Sequence, residues 1–211
     1  MKKIPLAALA LLATIGNVAT AQQTARVPVG AESRLWIDGT SNLHDWSCKA
    51  QTLDAAIELD AGAVVQLAAA PPKALKRVDV KVPVKALKCG HDAMDNNLYK
   101  ALGADATPQI EYIMATFEAA PGATKDTFTL HATGTLQVAG KTNSVALDVT
   151  AVRLADGTVK ATGVVPIRMT DYGIKPPTAI FGRLKTGDEV KVNFELVVGA
   201  RAIAAAVNQA P

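Results

Sequence analysis

Few residues in this chain could carry chemistry, and most of them stand in two short stretches. Cys48 and Cys89 are its two cysteines among 211 residues. Each has a His-Asp pair beside it, His44-Asp45 before Cys48 and His91-Asp92 after Cys89. In an oxidising compartment two cysteines pair by default, so a Cys48–Cys89 disulfide is the first expectation and free buried cysteines the plainest alternative. The sharper alternative is a metal- or redox-linked site in which Cys48, Cys89, His44 and His91 supply two thiolates and two imidazoles. The spacings H-x3-C and C-x-H match no zinc signature, so no metal is assigned. A catalytic dyad of His44 and Asp45 is disfavoured too, because neighbours in a strand point to opposite faces. Gly140-Lys141-Thr142 resembles the end of a phosphate-binding loop. Five residues separate it from Gly134 where four are required, and strands flank it on both sides. No nucleophile, base and oxyanion donors converge, so the reading is a binding protein without catalytic residues.

The elements that must position these residues are mostly strands. Phe128, Leu130, Ala132, Gly134, Leu136 and Val138 alternate with polar neighbours, and Val145, Leu147, Val149 and Ala151 resume the alternation after Ala139-Gly140-Lys141-Thr142. The pattern predicts an antiparallel hairpin with one dry face. Similar alternation runs through 53–59, 78–84, 110–115, 159–167 and 190–198, while 34–50 reads as a first strand bent or bulged at Gly39-Thr40-Ser41-Asn42. Met94, Leu98, Ala101 and Leu102 fall at helical spacing, predicting one short helix over roughly Asp92 to Leu102. Met169 to Glu189 loses the alternation and reads as a long loop, either a lid or a self-packed plug.

At the start, Lys2-Lys3, an apolar run to Ile15 and Ala19-Thr20-Ala21 form a secretory signal over 1–21 with an A-x-A cleavage site. Residues 22–33 read as a leader, 34–198 as one domain, and the alanine-rich 199–211 as a weakly ordered tail. The apolar run is too short for a membrane span, and export places the mature protein in the periplasm or outside the cell. Removing the signal takes two of the 22 basic residues against 19 acidic ones, so the formal charge falls from +3 to +1. That balance gives no support to a nucleic-acid partner.

About eight strands sharing one apolar face imply a closed barrel or a two-sheet sandwich, and the barrel is favoured because closure removes exposed edges. The fold expected is all-β, an eight-stranded antiparallel lipocalin-like barrel with one short helix between strands. Its inner series is light, with Ala55, Ala132, Ala151, Ala161, Gly134 and Gly163 where a filled core would use larger residues. Small inward residues leave volume, and an apolar cavity suits a lipid chain. The predicted lining comprises Ile110, Tyr112, Phe128, Leu130, Leu136, Leu147, Val149, Val165, Ile167, Phe194 and Leu196. Tyr172 and Phe181 in the long loop are expected to cover one mouth.

The ordered set Met94-Asp95, Leu98, Ala101-Leu102, Pro108-Gln109-Ile110-Glu111-Tyr112, Gly134 to Gly140 and Met169-Thr170-Asp171-Tyr172-Gly173-Ile174 resembles the YceI-like family of exported polyisoprenoid-binding proteins. The resemblance spans about Arg34 to Val198. It implies an extended lipocalin-like barrel that encloses an isoprenoid quinone, polyprenol or similar chain, often as a dimer, with no cofactor beyond the bound lipid. The stretch Gly39 to Cys48 departs from the pattern of many members, which carry no cysteine there, so Cys48 and Cys89 mark a branch whose ligand differs from theirs or stays the same.

Overall fold

A computed structural model describes residues 24–60, 74–179 and 181–208. The proposed signal, residues 22–23, all of 61–73, residue 180 and the last three residues lie outside them. Among the described residues twelve strands form: β1 (Thr24–Pro28), β2 (Arg34–Ser41), β3 (Trp46–Ala50), β4 (Asp54–Asp60), β5 (Leu75–Pro83), β6 (Leu87–Lys88), β7 (Gln109–Pro121), β8 (Thr127–Val138), β9 (Lys141–Arg153), β10 (Val159–Arg168), β11 (Thr178–Ala179) and β12 (Leu184–Val198). Among the described residues two α-helices accompany them, α1 (Asp92–Ala101) and α2 (Ala200–Asn208). Eleven strands lie in one curled antiparallel sheet in the order β1-β4-β5-β7-β8-β9-β10-β12-β2-β3-β6, and β11 pairs beside β12.

The all-β architecture and the short helix are as the sequence predicts, but the structure divides the strands more finely than eight. Residues 34–50 are two antiparallel strands, with Gly39 opposite Trp46, and not one bulged strand. Ser41 makes the turn: its Oγ accepts from the amides of Leu43 and His44 and donates to the His44 carbonyl. Such a side chain gives the backbone an alternative to the ladder, which is why the run breaks there. Part of the proposed leader is a strand as well, for Ala25 and Val27 are buried and β1 pairs with β4 along its whole length. The tail includes α2, whose Ala202 and Ile203 pack against buried Val27, Leu59 and Val198. The 169–189 segment is less of a loop than its lost alternation suggests. It holds a 3-10 turn, Met169–Tyr172, then β11, and β12 begins at Leu184 with an irregularity between Thr186 and Val190.

The central hairpin follows the predicted faces. β8 and β9 pair from Thr127↔Val152 to Val138↔Lys141, so the turn is the two residues Ala139-Gly140, both at positive φ. The dry face of the sheet is filled at two places. One cluster gathers Val82, Val84, Leu87, Leu102, Ala104, Val138, Tyr172 and Ile174 beneath α1. The other gathers Val27, Leu59, Ala74 and Val198 beneath α2. β5 starts beside the second with Leu75 and ends in the first with Val82, so the two clusters plug opposite ends of the curl.

Candidate functional site

Between the plugs the inward series bound one apolar cavity of about 410 Å³, inside the roughly 300–1,000 Å³ range of small-molecule sites. Ile110 and Tyr112 reach it from β7, Phe128, Leu130 and Leu136 from β8, and Leu147 and Val149 from β9. Val165 and Ile167 come from β10, Phe194 and Leu196 from β12, and Tyr172 from the 3-10 turn. Among the described residues that line it there is no Asp, Glu, Lys or Arg. Period-two alternation brings these side chains to one surface, because strands in register present the same parity to the same face.

Phe181 is the exception among the residues picked out from sequence. It is wholly exposed at positive φ in the turn before β12, and it covers no mouth. Tyr172 in the same segment is only 4 % exposed. The difference lies in anchoring: Asp188 accepts from the Thr170 amide at 2.9 Å and its hydroxyl at 2.7 Å, and Asn143 Nδ2 donates to the Asp171 carbonyl at 3.0 Å. These bonds press the Met169–Tyr172 turn against β9, β10 and β12. The Thr170 hydroxyl, and then its amide, hold the Asp188 carboxyl below its ordinary pKa.

Two inward glycines leave less room than their size suggests. A Cβ on Gly134 would stand 2.7 Å from Tyr112 Cε2, and one on Gly163 would stand 2.5 Å from Phe194 Cζ. Each aromatic ring lies over a glycine, so these positions are filled from the neighbouring strand and the open volume lies elsewhere along the curl. Tyr112 and Tyr172 carry the site's unusual polar groups. Both phenolic oxygens are buried without a hydrogen-bond partner. Burial pushes the Tyr112 hydroxyl up to about 12 and raises that of Tyr172, where the nearby Asn143 side chain offsets part of the effect.

Helix α1 covers the first plug with Leu98 and Ala101, which also line the cavity beside Met94. Cys48 and Cys89 are bridged, tying β3 to the approach to this helix across 41 residues. Their sulfurs are therefore not thiolate ligands, and among the described residues no group of three or more His, Cys, Asp or Glu is arranged to hold a metal. His44 lines the cavity rim with Nδ1 2.8 Å from the Asp45 carbonyl oxygen, while His91 caps α1 without a side-chain bond. Asp95, only 5 % exposed, accepts from the Cys89 amide at 2.7 Å and pairs with Lys88 at 3.1 Å. The Cys89 amide is the first cause of its lowered pKa.

The family model described as a YceI-like domain matches residues 36–198. The chain belongs to the YceI-like family. Solved structures share the fold at low identity. BcnA of Burkholderia cenocepacia superposes with a TM-score of 0.62 at 20% identity, covering 80% of this chain and 98% of that one. A polyisoprenoid binding domain from Saccharophagus degradans, implicated in plant cell wall breakdown, gives 0.59 at 13% identity over 83% and 98%. The Campylobacter jejuni YCEI protein gives 0.53 at 18% identity over 72% and 83%. No curated protein sequence matches the chain.

In this YceI-like chain the cavity extends beyond the residues chosen from sequence. Leu35, Ile37 and Trp46 of the first hairpin and Val78, Val80 and Val82 of β5 line it as well. Their alternation was legible, but a lining drawn from the later strands omits the first ones. The unsatisfied state of Tyr112 and Tyr172 has no sequence signal, because it depends on which side chains fail to arrive.

Proposed function

We propose that the protein encloses one long apolar chain of the isoprenoid type, a quinone, polyprenol or similar lipid, for storage or transport in the periplasm, with no chemistry done on it. The carrying observation is the continuous cavity that the described residues line without a charged side chain. The polyisoprenoid-binding description of the Saccharophagus neighbour supports the same class of ligand. Burying a few hundred Å² of chain there gains on the order of 25 cal/mol per Å² before ordering costs, enough for retention through purification. In this reading the curl works as a closed lipocalin-like barrel, the signal directs export, and a dimer is compatible with the family.

The test places one charge inside and one outside. Leu147 lines the cavity, and Asp148 next to it points out to an exposed His131 at 2.6 Å. An unpaired buried carboxylate costs several kcal/mol and draws in water, so Leu147→Glu should strip co-purifying lipid while Asp148→Lys keeps it. Equal lipid in the two folded variants would sink the interior-cavity reading.

A further inference from the structure

The seam between β9 and β10 is open for half its length. Their ladder runs from Val159↔Arg153 to Gly163↔Val149 and stops. Beyond that point Lys141–Asp148 ladder only with β8, and Val164–Arg168 only with β12. A groove lies over the gap, lined by Lys141, Asn143, Ser144 and Ala146 on one bank and by Pro166 and Thr170 on the other, with Tyr172 at its floor. Val145, Val165, Ile167 and Tyr172 line both this groove and the cavity. The outward Val164, 52 % exposed, puts apolar surface beside the gap on a face that is otherwise mostly polar.

Resting on the binding function proposed above, we infer that this split is the mouth of the cavity, where a neutral oxygen-bearing lipid head such as an alcohol or a quinone carbonyl seats against Tyr172. The hydroxyl of Tyr172 is buried and unpartnered, which a bound acceptor would correct. Tyr112, whose hydroxyl is also unpartnered, stands in the row Val80, Tyr112, Leu136, Asn143, so it belongs to the same end of the cavity and supplies a second donor. A tyrosine hydroxyl already keeps its proton at physiological pH, and burial pushes both of these further in that direction. A phosphorylated head is a poor fit. The charged side chains lining the groove are Lys141 and Asp171, one of each sign, and the described cavity lining adds no cation.

The experiment compares three probes of matched chain type on the full exported protein: squalene, which has no oxygen, a long-chain prenol and the corresponding prenyl phosphate. Wild type should hold squalene and prenol, with prenol favoured and the phosphate roughly tenfold weaker than prenol. Tyr172→Phe keeps the ring and removes the donor, so the prenol-to-squalene affinity ratio should fall about fivefold, with circular dichroism confirming the fold. Location is read separately by loading rate: a bulky maleimide on Ser144→Cys, on the bank of the split, should slow prenol uptake several-fold. The same adduct on Thr158→Cys, in the turn at the far end of the β9–β10 hairpin, should leave it alone. An unchanged ratio in Tyr172→Phe, tight phosphate binding, or equal rates for the two adducts overturns the inference while lipid binding itself stands. Wild type that holds neither squalene nor prenol removes both readings.

Discussion

Two seams of this sheet are short of backbone pairs, and they are closed by different means. β3 and β6 share only the pairs Lys49↔Lys88 and Ala50↔Leu87, yet the Cys48–Cys89 bridge crosses just beside them. β9 and β10 share five pairs where their lengths would allow twice as many, and the Met169–Tyr172 turn lies against the gap. A covalent bond does not open on the timescale of ligand exchange, whereas a turn held by one carboxylate and one amide has no such lock. In the proposed reading, the contrast is between one weak seam that is locked and another that is left as the lipid's way in.

Breaking the locked seam should give the largest effect. Replacing Cys48 and Cys89 together by Ala frees a 41-residue loop in the unfolded chain and should lower stability by about 2–4 kcal/mol, read from urea midpoints. A midpoint unmoved by that double change would mean that the packing of α1 closes the seam unaided. Next in size is Gly163→Val at the last rung of the open seam. Its Cβ would meet the Asp148 carbonyl at 2.9 Å as well as the Phe194 ring, so either the ladder or the ring must move, at about 1–3 kcal/mol. Thermal denaturation reads the loss, and a faster lipid exchange should accompany it.

The faces of the strands were legible in the sequence, and their partners were not. Leu136, Leu147, Val165 and Phe194 announce their inward direction by parity alone, since a one-residue slip would put each into water. Nothing in that parity says that β10 leaves β9 after Gly163, because the alternation of Val165 and Ile167 continues unbroken across the split. The helix at Asp92 was readable from its apolar spacing, but the role of Asp95 was not. Its carboxylate serves the Cys89 amide only once the chain has turned back on itself. Phe181 was misread for the opposite reason: an aromatic in a proline-rich segment looks anchored, yet the bonds that anchor the segment fall on Thr170 and Asp171, ten residues earlier.

Acid should sharpen the comparison of the seams. Asp188 holds the turn at the open seam and Asp95 holds the approach to α1 at the locked one, and both carboxyls are lowered from an ordinary 3.8. A depressed folded pKa means that the stabilisation is fully present above the unfolded value and is lost as pH falls through the folded one. With the disulfide intact, lowering the pH through that window should therefore release the Met169–Tyr172 turn while β3 and β6 stay joined. Hydrogen exchange followed by mass spectrometry should show peptides over 141–148 and 164–172 losing protection before those over 46–50 and 87–95. Asp188→Asn at neutral pH should reproduce the first change alone. Simultaneous loss at both seams would show that the turn is no weaker than the bridged region.

The smallest effect belongs to the His-Asp pair that lies closest to the open seam without facing it. His131 and Asp148 meet at 2.6 Å across β8 and β9, but their side chains are 57% and 77% exposed. Water and salt screen such a pair, and holding two side chains in one geometry offsets much of the attraction, so His131→Ala should change stability by no more than about 0.5 kcal/mol. The cross-strand ladder at this rung does the structural work, with His131↔Asp148 inside an unbroken run of pairs. Asp148 is also the first β9 residue past the last rung shared with β10, so a pair that mattered to the split would betray itself in exchange. Alternate amides of 141–148 should stay protected, those bonded to β8, and the others should exchange fast, in wild type and in His131→Ala alike. A variant in which the protected set also begins to exchange would assign the outer face a part in holding the mouth, and the division between a locked and an open seam would have to be redrawn to include β8.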